Sequence, residues 1–147
     1  MAGAAGPDLR STALLHEEYK VAMRAGHPAA RRFDVESWLA WPHVLVSSRG
    51  QPDSTLDRLL AAQGRSRTVG IVLPAFSMVA PLLLATDLIA LLPGRCLRDP
   101  AARELVAFDP PLSVAGFDLS MTWHARRDRD PGVRHVMDTL ESLIRAL

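Results

Sequence analysis

An α/β fold built on a parallel sheet is what this 147-residue sequence predicts, on three observations. The first is residues 68–93, TVGIVLPAFSMVAPLLLATDLIALLP, the longest apolar passage, in which Asp87 is the only formal charge. The second is its punctuation. Pro74 and Pro81 each remove a backbone donor, and Ala85-Thr86-Asp87 inserts a polar, turn-prone step. Roughly 20 apolar residues suffice to cross a bilayer, but these breakers favour a strand, a helix and a second strand over a membrane span. The third is that both strands are unbroken apolar runs, which places cover on both faces, as in a strand-helix-strand unit with parallel strands. The strands are expected at Val69–Leu73 and 88–92, and the helix at 77–85.

The other elements follow in chain order. Residues 1–11 are small and Gly/Pro-containing, offer little apolar surface to offset the entropy of ordering, and are expected to be loose. Residues 14–24 alternate around Tyr19, Val21 and Met23 as one strand, which Gly26-His27-Pro28 ends. Asp34 caps a short helix with Val35, Trp38 and Leu39 inward, and Trp41-Pro42 stops it. A buried strand, residues 43–47, runs into a polar turn at 48–52. Asp53 or Ser54 then caps a helix with Leu56, Leu59 and Leu60 on one stripe, closed by Gly64 as a left-handed cap. After the central passage come a short helix within 93–104 and a strand at Leu105–Phe108, broken by Asp109-Pro110-Pro111. Phe117, Leu119, Met121 and Trp123 alternate with polar residues, which marks a strand with one wet face. Asp130-Pro131 starts a helix whose stripe, Val133, Val136, Met137, Leu140, Ile144 and Leu147, must be buried on something.

Composition narrows the function. With 48% apolar and 22% charged residues the chain is an ordinary globular sequence, long enough for one respectable core and short for two complete lobes. Lys+Arg 17 against Asp+Glu 16 leaves a net charge of +1, so no overall field draws it to nucleic acid or to an anionic membrane. A single cysteine, Cys96, excludes an internal disulfide and supports no Cys-based zinc site. No signal-peptide core is present at the start, and the cytoplasm is expected. The five histidines form no His-x-x-x-His or Glu-x-x-His pair, and neither a Gly-x-Ser-x-Gly elbow, a phosphate loop nor a dinucleotide fingerprint occurs, so no enzyme, metal or cofactor is signalled. Asp87 reads as a turn cap between helix and strand, and the Arg-rich loop after His124 as a solvated turn, since Asp128 and Asp130 offset its arginines.

Candidate chemistry lies where the first central strand ends. In an open parallel sheet, ligands bind beyond the carboxyl ends of the strands, where the next helix presents unpaired N–H groups. Pro74 fixes the turn, Phe76 offers a flat apolar surface, and Ser77 can cap the helix. The same residues fit a plain strand-to-helix turn with Phe76 in the core.

The runs GHPAARRFDVESWLAWPHVLVSSRG, TLDRLLAAQGRSRTVGIVLPAFSMVAPLLLATDLIALLPGR and PPLSVAGFDLSMTWHARRDRDPGVRHVMDTL, in this order and spacing, resemble the effector-binding region of LysR-type transcriptional regulators, closest to the nodulation and aromatic-catabolism regulators. The resemblance implies a periplasmic-binding-protein type 2 fold, with one complete lobe and the C-terminal part of the other. Residues 1–16 would be a loose lead-in, 17–111 the effector-binding lobe two, and 112–147 the return to lobe one. It further implies an inducer, a small organic acid or aromatic, held by Pro74, Phe76 and Ser77, with Ser47 and Ser48 facing the same cleft. The two serines also fit a turn that only caps the following helix. A homo-oligomer is expected. DNA would be reached only through a winged helix-turn-helix, a pattern this sequence does not contain. The alternative is a stand-alone truncated ligand-binding or protein-interaction domain without DNA binding.

Overall fold

The computed structural model describes residues 8–48, 50 and 54–145. The chain divides into two compact units, one of residues 18–115 and one of residues 1–17 with 116–147.

The larger unit is a five-stranded sheet between helices. Its strands are β2 (Tyr19–Arg24), β3 (His43–Val46), β4 (Val69–Leu73), β5 (Ile89–Pro93) and β6 (Leu105–Phe108), ordered β4-β3-β5-β2-β6. β3 runs parallel to both β4 and β5, and β2 runs antiparallel to β5 and β6. Its helices are α1 (Val35–Leu39), α2 (Thr55–Ala61) and α3 (Val79–Leu84). Side chains of β2 and β5 alternate between two cores, as the pleat requires. Val21, Met23 and Ile89 pack with Trp38 of α1 and with Leu56 and Leu60 of α2. Ala22, Ala90 and Leu92 pack with Val44, Leu73, and Val79 and Leu83 of α3. Each fully buried aliphatic side chain in these layers is worth about 1.5–3 kcal/mol relative to an exposed one.

The local signals explain most boundaries. Asp34 accepts from Ser37 N at 2.9 Å while Ser37 Oγ accepts from Asp34 N at 3.0 Å, a reciprocal cap on α1. Ser54 caps α2. Its Oγ accepts from Leu56 N at 3.2 Å and Asp57 Oδ2 accepts from Ser54 N at 2.6 Å. Asp53 and most of the expected turn at 48–52 lie outside the described residues. Gly64 takes φ 66° just past α2, the left-handed conformation expected of it. Ser54→Ala is expected to lower the unfolding free energy by about 1 kcal/mol, seen as a lower urea midpoint at unchanged slope.

The central passage folds as strand, helix, strand, and β4 and β5 flank β3. Two details differ from expectation. The helix begins as a 3-10 turn, Phe76–Met78, before α3, and no side chain caps either piece, so Ser77 is not a cap. Pro81 is tolerated because it falls in the first turn of α3, where its missing N–H has no partner to lose. β5 is buried as expected, but β4 is the sheet edge, with Gly70 and Ile71 exposed. Between 93 and 104 the expected helix is two 3-10 turns, Gly94–Arg98 and Pro100–Ala102, separated where Asp99 caps the second and Pro100 opens it. Asp87 pairs with Arg24, whose Nη2 stands 2.6 Å from Asp87 Oδ1. Thr86 closes the helix end, its hydroxyl donating to Leu82 O at 2.8 Å.

The smaller unit pairs β1 (Leu9–Glu17) antiparallel with β7 (Phe117–His124), with an irregularity between Ala13 and Leu15, and ends in α4 (Pro131–Arg145). Here two expectations are corrected. Residues 14–24 are not one strand: Glu18 separates β1 from β2, which belong to different sheets. Nor is the chain loose up to residue 16, because from Leu9 onward it is a strand, ordered by its ladder with β7. Residues 1–7 lie outside the described ones. Asp130 caps α4, its Oδ1 accepting from Gly132 N at 2.9 Å and Val133 N at 3.2 Å. The Val133 N–H first, and Arg127 after it, hold its carboxyl below the usual range. The stripe of α4 is only partly covered: Val133, Met137 and Ile144 are half-buried, while Val136 and Leu140 are exposed, as is Leu143 beside them.

Candidate functional site

Parallel pairing of β3 with β4 puts their carboxyl ends side by side. Val46 is in register with Leu73, and Ser47 N donates to Leu73 O at 2.9 Å. The loops that leave this edge carry all five residues proposed from the sequence: Ser47 and Ser48 after β3, and Pro74, Phe76 and Ser77 after β4. Ser47 is half-buried, and the other four are exposed. Phe76 is 40% exposed, which removes the reading that buries it in the core. Beside it Met78 is 48% exposed, a second soft apolar surface that sequence reasoning missed. A methionine inside an apolar run gives no signal of its own. Only the turn geometry, which leaves Met78 out of the core that takes Val79, reveals it.

Among the described residues the edge is apolar and hydroxylated. Segments 44–48 and 72–79 contain no Asp, Glu, His, Cys, Lys or Arg. Ala75 opens the 3-10 turn with extended backbone, φ −147°, and its carbonyl accepts from Met78 N at 3.3 Å, while the turn carries no capping side chain. Such a surface can stack against a flat ring and can offer serine hydroxyls to its polar substituents. These two segments contain no residue of the types that serve as a general base.

Four of the five histidines are held in contacts away from this edge. His27 Nδ1 accepts from Ala29 N at 3.1 Å, its Nε2 donates to Asp87 O at 3.1 Å, and its ring sits edge-on to Trp41. His43, fully buried at the start of β3, donates from Nε2 to Trp38 O at 2.9 Å. Its Nδ1 faces Arg67 Nη1 at 3.4 Å, and Arg67 grips Asp57 through Nε at 2.7 Å and Nη2 at 3.0 Å. Burial first, and the Arg67 charge with it, push the His43 imidazole down to about 4 against the pull of Trp38 O and Asp57. Burial alone would raise the Asp57 carboxyl, but the Arg67 and Ser54 hydrogen bonds bring it below its usual range. This network stands at the amino end of β3, whereas the candidate site stands at the carboxyl end. His16 pairs with Asp118, and His124 Nδ1 accepts from Arg126 N. Among the described residues no cluster of three or more His, Cys, Asp or Glu is placed to hold a metal ion, and no helix is long and apolar enough to cross a membrane.

Residues 2–144 match the LysR substrate binding domain, and the chain belongs to that family. It is 26% identical over 141 residues to the HTH-type transcriptional regulator LinR of Sphingobium indicum, which covers 94% of this chain and 46% of that protein. To the HTH-type transcriptional activator NagR of a Ralstonia species it is 30% identical over 121 residues, 81% of this chain and 40% of that protein. The chain thus spans less than half the length of these relatives. The regulatory domain of MexT, a transcriptional activator in Pseudomonas aeruginosa, superposes with a TM-score of 0.80 at 28% identity, covering 96% of this chain and 68% of that one. The fold is therefore of the type 2 periplasmic-binding class, as the resemblance implied, and the family is one of transcriptional regulators, not of enzymes.

Proposed function

We propose that this chain is the inducer-sensing part of a LysR-type regulator, and that its ligand, a small organic acid or aromatic, is held by Phe76, Pro74 and Ser77 together with Ser47 and Ser48. The observation that carries the reading is the exposure of Phe76 and Met78 beside three serines at the carboxyl end of adjacent parallel strands. Two large apolar side chains exposed side by side in one turn offer a surface that a flat ligand would cover. The ligand acts by population shift, favouring one arrangement of the two lobes over another. That arrangement passes through a homo-oligomer to winged helix-turn-helix domains lying outside this chain, in the cytoplasm. Similarity to regulators along nearly the whole chain supports this over a stand-alone interaction domain.

Thermal melting with a panel of aromatic carboxylates tests it. A compound that binds the folded chain alone raises stability by RT ln(1 + [L]/Kd), about 2.7 kcal/mol at 100 times Kd. Phe76→Ala is expected to leave the ligand-free melting temperature nearly unchanged, because the ring is exposed, and to weaken the ligand by about tenfold. An undiminished ligand shift in Phe76→Ala contradicts the proposed site.

A further inference from the structure

The chain passes twice between its units, once between Glu17 and Glu18 and once between Ala115 and Gly116. Within the smaller unit the two passages begin and end against each other. Glu17 is in register with Phe117 and His16 with Asp118, Glu17 is buried, and His16 Nδ1 stands 2.6 Å from Asp118 Oδ1. A Cβ built on Gly116 would overlap the carbonyl oxygen of Glu17 and stand 2.7 Å from His16 Nε2. The imidazole could swing aside. The carbonyl is backbone at the end of a ladder and could not move without opening it. The positive-φ glycines of the described chain are Gly26, Gly50 and Gly64, so what Gly116 supplies is space rather than left-handed backbone. Gly94 also faces a backbone oxygen, that of Glu18, but at 3.4 Å, and Gly70 and Gly132 meet side chains first.

We propose that Gly116 is the positioning residue of the crossing. By lacking a side chain it keeps the departing and returning segments in backbone contact, and that contact relays the state of the ligand site to β1 and β7. The relay rests on the ligand-sensing reading above, whereas the contact itself does not.

Hydrogen exchange on the whole chain and its Gly116→Ala variant tests both. Without ligand, Gly116→Ala is expected to speed exchange of the amides at 16–19 and 115–118 by about tenfold and to leave β3, β4 and β5 unchanged. An Ala115→Gly control behaves as the parent. Adding His16→Ala to Gly116→Ala does not restore slow exchange, because the Glu17 carbonyl still stands in the way. Unchanged exchange at the crossing, an equal loosening of every strand, or full recovery with His16→Ala overturns the assignment. With benzoate as the probe, protection of 73–78 persists in Gly116→Ala, while the benzoate-dependent change in β1 and β7 shown by the parent disappears. Persistence of that change overturns the relay. Absence of benzoate protection at 73–78 in the parent overturns the relay together with sensing of this probe, and the ligand-free comparison still decides the crossing.

Discussion

Arg67→Ala is expected to destabilise the larger unit by about 3 kcal/mol. The guanidinium is 2% exposed and binds both oxygens of Asp57, and its Nη2 also donates to Ser54 Oγ at 3.2 Å. It thereby ties the start of α2 to the segment entering β4, next to the buried ring of His43. Removing it leaves the Asp57 carboxylate without its cation and His43 Nδ1 without a donor. The cost is that of stranded partners rather than of the pair itself. Urea unfolding followed by tryptophan fluorescence measures it. A double variant, Arg67→Met with Asp57→Leu, should recover a good part of the loss, since it removes both charges and fills the space. If Arg67→Ala costs no more than an exposed surface pair, the network does not hold the unit together.

The second large effect is acid lability. His43 donates to Trp38 O from Nε2 and presents a bare Nδ1 to Arg67, so the buried ring is neutral and a second proton would face a guanidinium. Its pKa is about 4 in the folded chain against 6.5 as the ordinary value. Between these values the unfolded chain binds the proton and the folded one does not. Stability from this group is therefore complete above about pH 6.5 and drains away as pH falls toward 4, by about 3 kcal/mol at the limit. Unfolding free energies measured from pH 7 to pH 4 should show this loss, and His43→Gln should flatten it. An equally steep acid limb in His43→Gln would assign the loss to other groups.

The sequence was most legible where the signal is local. Val69–Leu73 and Leu105–Phe108 end where Pro74 and Asp109 lie, Phe117–His124 begins after Gly116, and Asp34, Ser54 and Asp130 cap helices through their own next turn. Legibility failed where the outcome depends on a distant partner. Nothing in LLHEEYKVAMR marks Glu18 as a boundary, because the division is made by which strands pair: β7 with β1, and β5 and β6 with β2. The apolar run of β4 reads as doubly covered, yet its place at the sheet edge is set by the order of strands, not by its residues. Arg67 sits in a polar loop sequence, GRSRT, and only the convergence of α2 and β3 buries it.

For the candidate site, the turn itself was legible and its chemistry only partly so. Pro74 and Phe76 announce a turn after a strand, and parallel pairing then brings Ser47 and Ser48 to the same edge. In the sequence Ser77 reads as a helix cap, but the chain enters α3 through a 3-10 turn that carries no side-chain cap. Exposure of Phe76 and Met78 could not be read at all, since the same letters serve a core equally well.

The measurement that tests the central claim most directly is a hydrogen-exchange footprint of the aromatic acid that most stabilises the chain. Ligand held at the carboxyl ends of β3 and β4 predicts added protection at residues 47–48 and 73–78, reduced in Phe76→Ala, with the amino end of β3 and the His43 network unaffected. Protection centred elsewhere in the larger unit, or stabilisation with no protection at this edge, would contradict the account.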